Sequence, residues 1–173
     1  PEINATSFTD GWFHTGDAGK LENGILYITD RIKDLFKTSN GKYIAPQQIE
    51  NLLVTDKYID QVAVIGDLRK FVTALIVPDY AAVKDYAEQM KIEYKDIEDL
   101  LNNPKITSLI EGRIANLQEG LAKYEQVKRF KLLPNPFTSD NGELTLTLKL
   151  KRKVPSIQNA IKTTKNLFIN STI

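Results

Sequence analysis

Chemistry in this chain must come from lysine, arginine, aspartate, glutamate and the backbone. Its 173 residues include no cysteine and one histidine, His14. Without cysteine there are no disulfides, no thiolate nucleophile and no Cys-based zinc or iron–sulfur site. One histidine leaves no multi-His metal cluster and at most one place in a triad, so no metal ligands are expected. Composition alone singles out none of the charged residues. Taken singly, each has an ordinary reading. Asp17 precedes a turn-rich stretch where Asp is common, and Arg31 can pair with Asp30 or Asp34 for little energy. Lys33 reads as a surface lysine. In LTLTLKL (residues 144–150) leucines alternate with Thr145, Thr147 and Lys149, the pattern of a half-buried strand with its lysine facing water. His14 has no partner at a spacing that makes it a base or ligand.

The elements that must position these residues follow from turn chemistry and periodicity. Residues 18–21 and 25–29 flank Glu22-Asn23-Gly24 and read as a β-hairpin. A second short hairpin, 35–38 with 42–44, surrounds Ser39-Asn40-Gly41. Pro46 suits a first helical position, with Ile49, Leu52 and Leu53 on one face. The runs QVAVI (61–65) and TALIV (73–77) read as strands joined by a polar loop. Asp79 caps a helix carrying Val83, Tyr86, Ala87 and Met90. Ile97, Leu100 and Leu101 mark a short helix, and Ile106, Leu109, Ile110, Ile114, Leu117 and Leu121 an amphipathic one. Residues 127–133 read as a strand, 134–142 as a loop, and the end from about Lys151 as a helix that Pro155 delays. Trp12, Phe13, Tyr27 and Phe130 are expected in cores. Strands and helices in irregular order make the fold class α+β.

Composition bounds the rest. Hydrophobic residues make up 42% and charged residues 26%, which suits a globular domain with a real core. No run nears the roughly 18 apolar residues of a membrane span, and no leader for export is expected. The chain opens on Pro1, as a piece of a longer protein would. Through Gly120 there are 13 Lys/Arg against 19 Asp/Glu, and from Leu121 onward 10 against 3. A basic end section can meet phosphates or simply be a solvated face.

Ordered strings carry more than single residues. GWFHTGD (11–17), GILYITDRIKD (24–34), KTSNGKYIAPQQIE (37–50) and NGELTLTLKLKR (141–152) together resemble the carboxy-terminal third of the adenylate-forming acyl-CoA synthetases. Within that superfamily they resemble the long-chain fatty-acid–CoA ligases. The strings bracket almost the whole chain in the family's order. The resemblance implies a two-step reaction: a fatty acid and ATP give acyl-adenylate and pyrophosphate, then coenzyme A displaces AMP. It also implies a large amino-terminal domain and a small lid that rotates between the steps. Residues 1–31 would then be the terminal hairpin of the large domain, and 32–173 the lid, built on a short mixed sheet flanked by helices.

The resemblance also implies roles. Asp17 matches the carboxylate that accepts from the ribose hydroxyls of ATP, and Arg31 the arginine that contacts ribose and phosphate. Lys33 matches the hinge about which the lid swings. Lys37, Gly41 and Lys42 match the segment facing the site during thioester formation, although relatives often carry Gly-Gly where this chain has Asn40-Gly41. Lys149 matches the near-terminal lysine that stabilises charge during adenylation. The cluster Lys151-Arg152-Lys153 can meet phosphates of coenzyme A or simply open a helix. ATP, magnesium and coenzyme A are the implied substrates and cofactor, and the partner is the chain's own amino-terminal adenylation domain. A cytoplasmic location follows, with peripheral membrane association compatible with greasy substrates. No glycine-rich phosphate loop and no fatty-acid tunnel occurs in these residues, so the chain by itself is expected to be inactive. An acyl-AMP ligase that loads a carrier protein would share Asp17, Arg31 and Lys149. A polyanion-binding α+β module predicts steep salt dependence, but no stacking-aromatic and basic motif accompanies the charge, so no nucleic-acid partner is expected. A ligand-free protein–protein interaction domain would make the spacing of Asp17, Arg31 and Lys149 a coincidence.

Overall fold

Asparagine followed by glycine turns a chain tightly because both accept a positive φ. In the computed structural model, which describes residues 7–145, 150–152 and 157, Asn23 and Gly24 take φ of 52° and 79°. They join β3 (Asp17–Glu22) to β4 (Ile25–Arg31) as an antiparallel hairpin with a bulge at Ala18/Gly19. Ahead of it, β1 (Phe8–Thr9) and β2 (Trp12–Phe13) form a minimal two-stranded ladder. A 3-10 turn, Ile32–Asp34, leads away from β4. The second hairpin is β5 (Phe36–Lys37) with β6 (Tyr43–Ile44).

The helix α1 (Pro46–Leu53) begins at proline, and Pro46, Ile49, Glu50 and Leu53 are its buried residues. β7 (Ile59–Ile65) and β8 (Val72–Pro78) pair antiparallel, and β9 (Val127–Leu132) adds to β8 in parallel. A parallel neighbour requires a crossover. Here it contains α2 (Tyr80–Gln89), α3 (Ile97–Asn102) and α4 (Pro104–Leu117). Each crossover helix starts on a short polar cap. Asp79 accepts from Ala82 N, Asp96 from Asp99 N and Asn103 from Lys105 N. The fold is therefore α+β, with a mixed three-stranded sheet in the order β7-β8-β9.

Every residue of the central strand β8 is buried. Its side chains alternate between two apolar clusters, as the period of a strand dictates. Val72, Ala74 and Ile76 join Ile44, Leu53, Val83, Leu100 and Ile110 on the helix side. Leu75 and Val77 join Ala63, Phe137 and Ile157 on the other, with Leu144 and Leu150 packed against them. Two glutamine side chains each bond both the N–H and the C=O of one residue. The Gln118 amide accepts from Val127 N at 2.9 Å and donates to Val127 O at 3.2 Å. Gln61 does the same for Phe137 N and O, at 2.6 and 3.3 Å.

Some expectations are corrected. Trp12, Phe13 and Tyr27 are not in a core: they are exposed, Trp12 to 79%, because the described chain covers the β3–β4 hairpin only at its Asp30 end, where α1 meets it. Phe130 does pack against the helix-side core. Met90 is exposed because α2 ends at Gln89. α4 stops at Leu117, so Leu121 reaches the core from beyond the helix. Leu144 and Leu150 pair with each other as an antiparallel bridge. Two residues of one continuous strand cannot be partners, so the half-buried-strand reading of 144–150 does not hold for its ends. Ile157 is helical and buried, whereas Arg152 lies in a turn. Pro155 lies outside the described residues.

Candidate functional site

Asp17 opens β3 and Arg31 closes β4, so the ladder sets them opposite one another at its last rung. Arg31 Nε donates to Asp17 Oδ1 at 2.8 Å, with both side chains partly exposed. A pair this exposed contributes about 0–1 kcal/mol, so a ligand that offers better partners can displace it. The turn around it is fixed by backbone: Ile32 N donates to Gly16 O and Asp17 N to Thr15 Oγ1.

Asp30, next to this pair, is buried. One carboxylate oxygen accepts from Arg31 N at 2.7 Å and the other from Gln47 N at 3.1 Å. Gln47 lies in the first turn of α1, where Ala45 has no side chain to offer and Pro46 no N–H. Asp30 therefore caps a helix seventeen residues away in sequence and ties β4 to α1. Lys33 sits between them in sequence, exposed in the 3-10 turn.

Lys37, Gly41 and Lys42 come together in the second hairpin. Gly41 has φ of 78°, which a glycine adopts without penalty, and its N–H donates to Thr38 O. The buried Thr38 closes the turn through Lys42 O and Lys42 N. Lys37 O and Ser39 N bond to Leu68 N and Arg69 O, which holds the hairpin to the β7–β8 loop. Lys37 Nζ lies 5.4 Å from the Tyr43 ring centroid and Lys42 Nζ 5.5 Å from that of Tyr124. The result is an exposed basic and aromatic face. Among the described residues, no hydrogen bond or ion pair joins it directly to Asp17 and Arg31; the 32–36 segment and the Asp30–Gln47 bond connect the two groups.

Lys149 lies outside the described residues. Its surroundings are partly described: Leu144 pairs with Leu150, Lys151 N donates to Glu143 O at 2.7 Å, and the Glu143 carboxylate accepts from Thr138 N at 3.1 Å. Arg152 Nη2 meets Glu50 Oε2 at 2.5 Å, while Glu50 Oε1 accepts from Val64 N at 2.8 Å. Burial pushes the Glu50 carboxyl above its ordinary range. The Arg152 charge and the Val64 N–H oppose that rise, and the charge of Asp30 adds to it.

Sequence reasoning missed Asp30 and Glu50. A signal for Glu50 was present: Pro46, Ile49, Glu50 and Leu53 share the spacing of a single helix face, which puts a carboxylate on an apolar stripe. For Asp30 there was no local signal, because its partner is remote in sequence. Among the described residues, no group of three or more His, Asp and Glu converges to hold a metal.

Comparison with known proteins gives the family of the chain. A family model described as the AMP-binding enzyme C-terminal domain matches residues 33–132. The chain is 38% identical over 155 residues to the long-chain-fatty-acid–CoA ligase FadD15 of Mycobacterium tuberculosis, covering 88% of this chain and 26% of that protein. It is 42% identical over 154 residues to human long-chain-fatty-acid–CoA ligase 1, covering 87% of this chain and 22% of that protein. Among solved structures, the adenylation domain of the carboxylate reductase from Mycobacterium chelonae superposes with a TM-score of 0.73 at 26% identity, covering 98% of this chain and 25% of that one. The chain thus spans about a quarter of the length of these relatives. With more than half of its residues matched by the family model, it belongs to the AMP-binding enzyme C-terminal domain family.

Proposed function

We propose that the chain is the carboxy-terminal part of an ATP-dependent long-chain fatty-acid–CoA ligase, with residues 1–31 ending the large adenylation domain and 32–173 forming its lid. The observation that carries the reading is the Asp17–Arg31 pair at the last rung of β3–β4, in a chain about 40% identical to two named long-chain ligases. In the first step a fatty-acid carboxylate oxygen bonds to the α-phosphorus of ATP, and the bond to pyrophosphate breaks. Asp17 accepts from the ribose hydroxyls, and Arg31 turns its guanidinium from Asp17 to ribose and phosphate oxygens. Lys149 neutralises charge on the carboxylate and α-phosphate oxygens as the phosphorus becomes pentavalent. In the second step the coenzyme A sulfur bonds to the acyl carbon, its proton is lost and AMP leaves. Lys33 is the hinge for the lid movement between steps, and Lys37, Gly41 and Lys42 present the face used in the second. Magnesium would accompany ATP as its counter-ion, and among the described residues no group of three or more His, Asp and Glu converges to hold it. No helix among the described residues is long and apolar enough to cross a membrane. A cytoplasmic enzyme with access to lipid surfaces is the location this reading carries.

The test uses the full-length protein with a long-chain fatty acid, ATP, magnesium and coenzyme A, following AMP and acyl-CoA. Lys149→Ala should lower adenylation by at least about a hundredfold while supplied acyl-adenylate is still converted to thioester. AMP release without acyl-CoA would move the acceptor to a carrier-protein thiol. No AMP with any fatty acid would overturn the reading.

A further inference from the structure

Two residues that flank Lys149 in sequence lie on the second face of the sheet. Leu144 and Leu150 pack beside Ala63, Leu75, Val77 and Phe137, and they pair with each other. Apolar packing fixes the depth of such a segment, but not its position along the sheet. A directional contact supplies that. Arg152, three residues after Lys149, reaches Glu50 on α1 across 102 residues of sequence. Glu50 is held in turn by Val64 N on the edge strand β7. Asp30 fixes the first turn of the same helix and bonds to the backbone of Arg31, whose side chain pairs with Asp17. An unbroken polar path therefore runs from the Asp17–Arg31 pair through α1 to the residues beside Lys149.

Building on the ligase reading above, we propose that Glu50 and Arg152 are positioning residues that hold the Lys149 segment in register with the Asp17–Arg31 pair for adenylation. The rigidity of this path matters because a misplacement of about 1 Å at a reacting centre can cost roughly a hundredfold in rate. The guanidinium fork suits the task, since it fixes direction as well as charge. A comparable contact lies elsewhere on the molecule: Arg113 Nε meets the buried Asp56 at 2.6 Å, joining α4 to the segment after α1. It serves as the control.

The experiment measures both half-reactions of the full-length protein, together with hydrogen exchange at the amides of Leu144, Leu150 and Lys151. Glu50→Gln keeps an acceptor for Val64 N but removes the charge, and Arg152→Met removes the fork. Each should lower adenylation kcat by roughly ten- to a hundredfold, leave conversion of supplied acyl-adenylate within about twofold, and speed exchange at those amides. The double variant should lose no more than the worse single. In a Lys149→Ala background neither substitution should lower adenylation further. Arg113→Met should leave adenylation kcat unchanged even if it lowers the melting temperature. Equal losses in both half-reactions, or a loss that persists without Lys149, would overturn the proposal by making the pair a general support. Unchanged exchange would also overturn it while leaving the ligase reading intact. A wild-type protein inactive in both half-reactions overturns that reading and this one together.

Discussion

The β3–β4 hairpin and the β7-β8-β9 sheet are built from similar residues and end in opposite conditions. In β8 every residue is buried, and Leu75 and Ile76 are both inaccessible although they point to opposite faces. In the hairpin Leu21, Ile25, Leu26 and Ile28 are all more than half exposed. Ile25 and Leu26 are neighbours in one strand, so both hairpin faces are bare. The sheet has helices on one face and the Phe137–Ile157 cluster on the other; the hairpin meets α1 only at Asp30, and its turn half has no cover. An isolated two-stranded ribbon is marginal in water, whereas a covered three-stranded sheet is self-sufficient. Apolar patterning alone does not secure a strand; it must also have something to be buried against. In the proposed ligase the remainder of the adenylation domain supplies that cover for β3 and β4.

Substitutions can break this comparison, and the largest effect belongs to the sheet. Leu75→Ala should cost about 2–5 kcal/mol in urea denaturation, because the cavity it leaves is enclosed on both sides. A cost near zero would mean that β8 is not the centre of the core. At the link between the two regions, Asp30→Ala strips acceptors from Arg31 N and Gln47 N and should cost about 0.5–2 kcal/mol, the range for a lost helix cap. Its signature is faster hydrogen exchange in the first turn of α1 with β8 unchanged. A smaller effect concerns pH. The Glu50 carboxyl is raised in the folded protein from 4.5, so the folded state holds that proton more tightly than the unfolded one. Its contribution to stability is complete below pH 4.5 and is lost as pH rises through the folded value. The urea midpoint of wild type should therefore fall, relative to Glu50→Gln, as pH is raised from 4 toward neutrality; parallel profiles would contradict the burial of that carboxyl. Smallest is Ile28→Ala, expected within about 0.5 kcal/mol in this chain. In the full-length protein the same substitution should approach the cost of a core residue, and an equally small effect there would leave the hairpin without its proposed cover.

Local chemistry made much of the fold legible beforehand. Asn23-Gly24, Pro46 and Asp79 each specify a turn or helix start through their own backbone or side chain, and the structure places all three in those roles. The β-rich runs at 61–65 and 73–77 became β7 and β8, because a strand covered on both faces takes such near-continuous apolar residues. What was hidden depends on distant partners. Asp30 caps a helix that begins beyond the second hairpin, and Glu50 meets Arg152 near the other end of the chain. Trp12 and Tyr27 were misread for a related reason: aromatic residues signal burial, but a sequence does not show whether the burying surface is present. At the site, the Asp17–Arg31 pair was not foreseen: the sequence offered Asp30 or Asp34 to Arg31, and only the longer ladder sets Asp17 opposite it, while the roles of Asp17, Arg31, Lys33, Lys37, Gly41, Lys42 and Lys149 rest on resemblance.

The reciprocal amide contact of Gln118 with Val127 has a consequence for life at high concentration. One side chain supplies both bonds that an incoming strand would make at that rung of β9, and Glu50 occupies Val64 N on the opposite edge strand. An uncapped outer strand is a template for another copy of the same chain, and templates of this kind seed aggregation. By filling those positions from within, the domain closes each outer strand at a point where a second molecule would otherwise join the sheet.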